Sequence, residues 1–442
     1  MFQGLRRYDQ YAAISSPWVQ ELPKHWRAER VKSLLSERVE KGYPDEPLLA
    51  ATQSQGVIKK SDYGTRTVTA TKDLHLLKLV EVGDFVISLR SFQGGIERCY
   101  HRGIISPAYT VLIARSAANR DYLTYLFKSK PFVSSLTLAV TGIREGQSID
   151  YSTLAVDRLP VPPIEEQAAI VKYLAHANDR IDKAISAKHH LIKLLEEKRA
   201  VEAQNVFVSG AIDNVPMLPL KRLVDIRGGM TPSKENLAFW GGDIPWVSPK
   251  DVKTDVLSNS IDHLTHAALD QTSISLVPSG AVVIVVRGMI LARTIPVATL
   301  GVNAALNQDM KALIPRAGML GSEYLRDWFR AYEAEVLQLV ETAGHGTKKL
   351  DTDVLMKLRV PVPSIAEQRR ISARIAQDGA TTGAAVKRVR DEIKLLNEFR
   401  TRLVADVVTG QVDVRGIAAE LPGAPALFER ADTVLDDDLE EV

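Results

Sequence analysis

Two long stretches of the chain carry apolar side chains every three or four residues. In the first, the spacing runs through Ile170, Leu174, Ile181 and Leu191, and in the second it runs from Ile375 to Val407. Such steps place one apolar stripe along a helix. We therefore predict two helices of ~43 residues, each ~64 Å long at 1.5 Å per residue. Charged residues flank both stripes, which favours an antiparallel coiled coil in which the two stripes cover each other.

Both predicted helices have sequence signals at their ends. Pro163 suits a helix start, because its fixed φ angle is already helical. Ser364 and Glu367 match a capping box, in which the serine caps the helix and the glutamate reaches back to the serine backbone. Gly210 and Gly410 stand where a left-handed C-terminal cap is expected.

The chain repeats itself. The segment Leu159–Gln167 reads LPVPPIEEQ and recurs 201 residues later, at Val360–Gln368, as VPVPSIAEQ. Gly83–Arg90 similarly resembles Gly280–Arg287. Self-similarity in the same order predicts an internal duplication with pseudo-two-fold symmetry. The residues predicted to mark the helix starts and caps are Pro163, Glu166, Gln167, Gly210, Ser364, Glu367, Gln368 and Gly410.

The segments that flank the helices show a different pattern. Short apolar runs such as Phe85–Ile87 and Val282–Val286 alternate with turn-rich clusters, which is typical of strands in a mixed domain. The predicted fold is therefore mixed α+β, with two α/β domains separated by two long helices. The predicted boundaries are 1–160 for the first domain, 161–210 for the first helix, 211–361 for the second domain, 362–411 for the second helix and 412–442 for a disordered acidic tail.

The charge is unevenly distributed. The net charge is +2, but residues 411–442 hold nine acidic and two basic residues, so the rest of the chain carries +9. Such a body permits DNA binding without requiring it. Cys99 is the single cysteine, which excludes an internal disulfide and a multi-cysteine zinc site and fits a cytoplasmic location. No apolar run approaches the ~20 residues that span a bilayer, so we expect no membrane partner.

Catalytic motifs are missing from the sequence. A phosphate-binding P-loop needs Gly-Lys, and the chain has no such pair. Amino-methyltransferases need a short Asn/Asp-Pro-Pro-aromatic loop, whereas Pro162 and Pro163 stand between Val161 and Ile164. The nine histidines form no cluster with metal-ligand spacing, so we predict no metal site. We therefore expect a protein without a catalytic site.

Basic residues in turn-like contexts are the candidates for DNA contact, because lysine and arginine neutralise phosphates and arginine also pairs with guanine. The turns before the two long helices stand out because they recur at matched places and combine glycine with basic, amide and hydroxyl residues. The candidates are Lys59, Lys60, Arg66, Arg90, Arg144 and Gln147 in the first half, and Arg227, Arg287, Thr347, Lys348 and Lys349 in the second.

The repeated Pro-Val-Pro-x-Ile-x-Glu-Gln helix starts and the Ser/Thr-Gly helix ends resemble those of type I restriction–modification specificity subunits. Glu21–Trp26 looks like the beginning of a first target-recognition domain in that family, and Leu220–Ser233 like that of a second. The resemblance reaches to about residue 413. The order of these parts is more specific than any one motif.

The resemblance implies a function. Each target-recognition domain would read half of a split site in double-stranded DNA through the major groove. The helices would form an antiparallel spacer and dock two modification subunits, which bind S-adenosylmethionine and methylate adenine. Restriction subunits, in systems that have them, would supply ATP- and magnesium-dependent translocation and cleavage. This chain would itself bind no cofactor.

Three other interpretations remain open at this stage. The chain could be a coiled-coil scaffold without DNA specificity, which predicts no salt-dependent binding to duplex DNA. It could be the specificity subunit of a methyltransferase-only system. It could also be a self-sufficient nuclease or methyltransferase, which the missing catalytic loops disfavour and an assay of the purified chain would decide.

Overall fold

The computed structural model describes residues 5–53, 55–63, 73–115, 120–141, 148–209, 215–343 and 346–423. The chain forms two compact units, of which unit 1 comprises Met1–Lys188 with Asp391–Val442, and unit 2 comprises His189–Arg390. The division falls inside both long helices, whereas the predicted boundaries fell at their starts and ends. Each unit thus combines a mixed α/β domain with part of each helix.

Unit 1 contains fourteen short strands and five short helices before the first long helix, among the residues described. The strands are β1 (Tyr11–Ala13), β2 (Glu21–Pro23), β3 (Arg27–Arg30), β4 (Leu35–Arg38), β5 (Leu49–Thr52), β6 (Gly56–Lys59), β7 (Lys78–Val80), β8 (Phe85–Ile87), β9 (Glu97–Arg98), β10 (Gly103–Ile105), β11 (Thr110–Ala114), β12 (Val140–Thr141), β13 (Ser148–Ile149) and β14 (Arg158–Val161). The helices are α1 (Val31–Leu34), α2 (Ser91–Gly94), α3 (Arg120–Lys128), α4 (Lys130–Leu136), α5 (Tyr151–Leu154) and the long α6 (Ile164–Ser209).

Unit 2 begins within α6 and repeats this alternation of short strands and helices. Its strands are β15 (Met217–Pro219), β16 (Val224–Gly228), β17 (Trp240–Val247), β18 (Val256–Leu257), β19 (Asp262–Leu264), β20 (Val282–Val285), β21 (Val297–Leu300), β22 (Ala305–Leu306), β23 (Met310–Pro315), β24 (Glu341–Thr342), β25 (Lys348–Lys349) and β26 (Arg359–Pro361). Its helices are α7 (His266–Gln271), α8 (Ser322–Ala331), α9 (Glu333–Leu337), α10 (Thr352–Lys357) and the first part of the long α11 (Ile365–Val408). The chain then returns to unit 1, where α12 (Arg415–Glu420) follows.

Each unit is built around a largely antiparallel sheet. The strand order is β4-β11-β8-β9 in unit 1 and β16-β23-β20-β21-β18 in unit 2. The inner strands β8 and β20 are the two apolar runs predicted from the sequence, and every residue in them is buried. Strands covered on both faces are apolar throughout, which explains why these runs do not alternate with polar residues.

Matched contacts show the duplication inside the two domains. The buried hydroxyl of Tyr122 donates to the carbonyl oxygen of Pro160 at 3.0 Å, and that of Tyr324 donates to the carbonyl oxygen of Pro361 at 2.9 Å. Likewise, α5 is capped by Asp150, and α10 by Asp351. The same polar contacts at equivalent positions indicate that both domains follow one structural plan.

The long helices run antiparallel within each unit. In unit 1, Asp182 pairs with Arg400 and Lys188 with Glu392, so the contact moves backwards along α11 as it moves forwards along α6. In unit 2, Arg390 Nη2 lies 3.3 Å from Glu196 Oε1. The predicted antiparallel helix pair is therefore present.

The two helix starts are held by buried glutamines. Gln167 and Gln368 are each 1% exposed. Gln368 Nε2 donates to the carbonyl oxygens of Met319 and Pro363 at 2.9 Å, and its Oε1 accepts from the backbone of Gly321 at 2.8 Å. Gln167 Nε2 donates to the carbonyl oxygen of Pro162 at 2.8 Å. These side chains fasten the first turn of each long helix to the chain that precedes it.

Glu166 is buried at the start of α6 and accepts from three donors. The Tyr8 hydroxyl lies 2.5 Å away, His25 Nε2 2.7 Å and Trp26 Nε1 3.0 Å. The guanidinium of Arg415 approaches to 4.0 Å. Glu166 thereby joins the N-terminal segment, the first long helix and the segment that follows the second.

The capping box predicted at the start of the second helix forms only in part. Glu367 was expected to reach back to Ser364, but its carboxylate contacts Arg370, which offers a charged donor one turn further along. Only the serine half of the box forms, with the Glu367 amide donating to Ser364 Oγ at 3.2 Å.

The glycine at the end of the second helix is required by its backbone and its surroundings. Gly410 has φ +74°, and a Cβ there would lie 2.5 Å from Pro23 Cδ. Gly210 lies outside the described residues.

The prediction of a disordered tail from residue 412 is wrong for the first residues of that segment. Residues 415–420 form α12, Val414 is fully buried and Ala418 is 2% exposed. The backbone of Arg6 pairs with that of Asp413. Apolar residues in this segment add to the core of unit 1, which the acidic overall composition of 411–442 concealed. The described structure ends at residue 423.

Candidate nucleic-acid interface

One end of the unit 2 sheet collects basic residues from three strands. Strand β16 ends at Gly228, which pairs with Lys311 near the start of β23. The start of β23 in turn pairs with the end of β20. Because these neighbours are antiparallel, Arg227, Lys311 and the exit of β20 at Arg287 lie at one edge. We call the surface at this end of the strands, which comprises Arg227, Arg287, Lys311 and Lys348, the basic edge of unit 2.

The hairpin β24–β25 adjoins the exit of β20. The backbone of Arg287 pairs with that of Lys349, and the Gly288 amide donates to the carbonyl oxygen of Lys348 at 3.0 Å. Gly288 has φ +130°, which an L side chain rarely adopts, so glycine permits the sharp exit from the strand. Thr347 closes the turn of the hairpin, since its carbonyl oxygen accepts from the Ala343 amide at 2.8 Å.

The basic side chains at this edge differ in how far their charge is already compensated. Lys349 Nζ lies 3.2 Å from Asp351 Oδ2. The backbone amide of Asp353 and then Lys349 hold the pKa of Asp351 below its usual value, so Lys349 has an anionic partner. Lys348 Nζ donates to Thr342 Oγ1 at 2.9 Å. Because this hydroxyl is neutral, the hydrogen bond does not compensate the positive charge of Lys348.

Both arginines of the basic edge are exposed. Arg227 Nη1 donates to the carbonyl oxygen of Leu276 at 2.7 Å, which fixes its guanidinium near the sheet without neutralising it. Arg287 follows the last buried residues of β20 directly and projects from the end of a rigid strand. A strand end positions a side chain more firmly than a long loop would.

Unit 1 has a smaller counterpart of this arrangement. Arg90 is exposed just after β8, and the helix α2 that follows it packs against β13 of the hairpin before α6. Lys59 and Lys60 stand at the far end of the β5–β6 hairpin, whose tip near Gln53 lies against α2. They are therefore separated from Arg90 by the length of β6. Arg66, Arg144 and Gln147 lie outside the described residues.

Lys311 was not among the sequence-based candidates. It sits on a strand in an alternating pattern, with Met310 and Ala312 fully buried on either side. Its Nζ would lie 2.9 Å from a Cβ at Gly228. Lys311 therefore stands at the same end of the sheet as Arg227, but on the opposite face, because Arg227 pairs with Ala312. Lys311 lies between two buried residues, but only the register of β16 against β23 shows that it stands at the basic edge.

The turn after β16 is sterically tight, and we expect Gly229→Ala to lower the free energy of unfolding by about 1–3 kcal/mol, as overpacking usually does. A Cβ at Gly229 would lie 1.9 Å from the carbonyl oxygen of Asn307, so backbone has to move. Gly228→Ala is the matched control, because its Cβ meets only the flexible end of Lys311. Urea unfolding of the full chain measures both, and equal losses would contradict this account.

Comparison with known proteins shows similarity to one family over part of the chain. Residues 213–395 match the family model described as the type I restriction modification DNA specificity domain. The chain is 36% identical over 169 residues to the specificity subunit of the Escherichia coli type I restriction enzymes EcoR124I and EcoR124II, which covers 38% of this chain and 42% of that protein. Over part of its length the chain is therefore similar to type I restriction–modification specificity subunits.

Two further specificity subunits are similar to this chain over different lengths. The MjaVIII specificity subunit of Methanocaldococcus jannaschii is 22% identical over 343 residues, covering 72% of this chain and 76% of that protein. The MjaIX specificity subunit of the same organism is 28% identical over 159 residues, covering 35% of each chain. The match thus spans less than half the length of the Escherichia coli and MjaIX relatives.

The fold also has a counterpart among solved structures. A chain from a solved structure of a type I R-M system superimposes with a TM-score of 0.55 at 16% identity, covering 88% of this chain and 99% of that one. The predicted mixed fold with its two long helices is thereby confirmed. Within the described ranges, no group of three or more His, Cys, Asp or Glu side chains is arranged to hold a metal ion. In the same ranges, no helix is both long and apolar enough to cross a membrane.

Proposed function

We propose that this chain is the sequence-specific DNA-binding subunit of a type I restriction–modification complex, and that each of its units reads one half of a split DNA site. The observation that carries the proposal is the repeated surface at the exit of β8 and of β20. At each exit an exposed arginine stands next to a segment that contacts the hairpin β12–β13 in unit 1 or β24–β25 in unit 2. The similarity of residues 213–395 to the type I restriction modification DNA specificity domain supports the same interpretation.

The chemistry of the basic edge suits duplex DNA. Arg227, Arg287 and Lys348 bring charge to one surface through different elements, and lysine and arginine neutralise phosphates. Arginine also matches the paired acceptors O6 and N7 of guanine in the major groove. A surface with both residue types can fix the register on the backbone and read bases at the same time.

The proposal assigns the chemistry to partner subunits. Two modification subunits would bind S-adenosylmethionine and methylate adenine while docked on this chain. Restriction subunits, where the system includes them, would use ATP and magnesium. The chain itself would hold no cofactor, carry no catalytic site and act in the cytoplasm. A methyltransferase-only complex would use the same surfaces of this chain.

Replacing residues 1–158 with the first domain of another family member should change one half of the methylated motif. The two units have separate cores, so each half-site should be read independently. The measurement is sequencing of modified adenines in cells that express the chain with its modification subunit. If both halves of the motif change together, the modular reading is wrong.

Arg287→Ala should weaken binding to duplex DNA and lower the slope of log affinity against log salt by about one unit, if Arg287 touches one phosphate. Arg316→Ala is the matched control, since Arg316 follows β23 at the opposite end of the same sheet and pairs with Asp225 at 3.0 Å. Titrations at several salt concentrations measure both slopes. The scaffold alternative predicts no salt-dependent binding to duplex DNA, so neither variant would change a slope.

A further inference from the structure

An exposed methionine stands among the cations of the basic edge. Met289 is 64% exposed and follows Arg287 and Gly288 at the exit of β20. It begins a single 3-10 turn, Met289–Ala292. Met289 is two residues from Arg287, and the Gly288 amide between them donates to the carbonyl oxygen of Lys348. A surface that combines an apolar side chain with basic residues suits a partner that is both anionic and locally apolar.

The turn that carries Met289 is firmly anchored. Leu291 is 2% exposed in the core of unit 2, and Ile290 packs against that core. On the other side, Gly288 is hydrogen-bonded to the β25 hairpin. Because these neighbours hold the backbone in place, the Met289 side chain remains exposed to solvent.

Unit 1 repeats the combination with different residues. Leu89 is 46% exposed and precedes the exposed Arg90 directly after β8. The following helix α2 is anchored by Ser91, which is 2% exposed, and by Phe92, which packs against the core of unit 1. An exposed apolar residue beside an exposed arginine thus occurs at the equivalent strand exit in both units.

Resting on the proposed DNA-reading function, we infer that Met289 is a specificity-determining residue that contacts the 5-methyl group of a thymine in the half-site read by unit 2. The thymine methyl is the apolar group that the major groove presents at an A·T pair. Methionine is flexible and polarisable, so it packs well against such a group. The flanking Arg287 and Lys348 would hold the phosphates on either side.

The test pairs removal of the side chain with removal of the methyl group. The full chain, assembled with its modification subunit, is titrated with duplexes that carry its own methylation motif. Each thymine of the unit 2 half-site, identified by domain exchange, is replaced in turn by deoxyuridine, which lacks the 5-methyl group. At one position this should weaken binding of the wild type about fourfold, the value of one buried methyl-sized group. Met289→Ala should bind both duplexes equally.

Met319→Ala is the matched control. Met319 is 39% exposed and lies beyond the opposite end of β23, so the deoxyuridine effect should persist in this variant. If Met289→Ala weakens binding to every duplex alike, or if no deoxyuridine substitution weakens binding of the wild type, the inference is overturned while the proposed function stands. A wild-type complex without any sequence preference would instead overturn the proposed function and this inference with it.

Discussion

Glu166→Ala should lower the free energy of unfolding of unit 1 by about 3–5 kcal/mol, the usual cost of removing one partner from a buried charged network. Glu166 is 4% exposed and accepts hydrogen bonds from Tyr8 and Trp26, each 7% exposed, as well as from His25. Burial and the hydrogen bond to Glu166 raise the pKa of Tyr8, so its hydroxyl remains a donor. Without the carboxylate, these donors remain buried without an acceptor, which costs the full desolvation free energy of each group.

The internal duplication supplies the control for this prediction. Glu367 occupies the equivalent place at the start of α11, but its side chain is 22% exposed and contacts Arg370 on the same helix. Glu367→Ala should therefore change stability by about 1 kcal/mol or less, as for other exposed ion pairs. Urea unfolding of the full-length chain, followed by tryptophan fluorescence, measures both variants. Similar losses at the two positions would show that the network around Glu166 does not stabilise unit 1.

The parts of the fold that the sequence predicted depend on local patterns. The starts of α6 and α11 follow Pro163 and Ser364 directly, because proline and serine act within the first turn of a helix. The fully apolar strands β8 and β20 were equally visible, since burial on both faces leaves a continuous apolar run. A helix start and a fully apolar strand occur in each half of the chain, and this repetition strengthens both predictions.

The parts that the sequence did not predict depend on contacts between distant segments. Tyr8 and Trp26 reach Glu166 across 158 and 140 residues, and no spacing rule relates such positions. The grouping of Arg227 with Lys311 requires the register of β16 against β23, which side-chain packing decides. The failure of Glu367 to complete its capping box has a local cause, since Arg370 competes for the carboxylate.

The stability of unit 1 should fall as the pH rises from about 4.5 to about 7, because of one buried carboxyl group. Glu97 is 2% exposed, and burial raises its pKa from 4.5 to about 7, although Lys128 opposes the shift. Lys128 contacts Glu97 Oε1 and also donates to the carbonyl oxygens of Gln53 and Gly94 at 2.9 Å. Glu97 Oε2 is buried without a hydrogen-bond partner among the described residues, so ionisation is poorly compensated.

The sign of this effect follows from proton binding. Between the two pKa values the unfolded chain has released the Glu97 proton while the folded chain retains it, so raising the pH favours unfolding. The loss over this range amounts to about 3 kcal/mol and stops above the folded pKa. Glu97→Gln should abolish the step, so that its stability relative to the wild type increases from pH 4.5 to pH 7.5. Lys128→Met should enlarge the step and extend it to higher pH, because it removes the cation that lowers the Glu97 pKa. Urea unfolding at half-unit pH intervals measures all three proteins, and parallel profiles for the wild type and Glu97→Gln would show that Glu97 ionises in the folded chain as it does in the unfolded one.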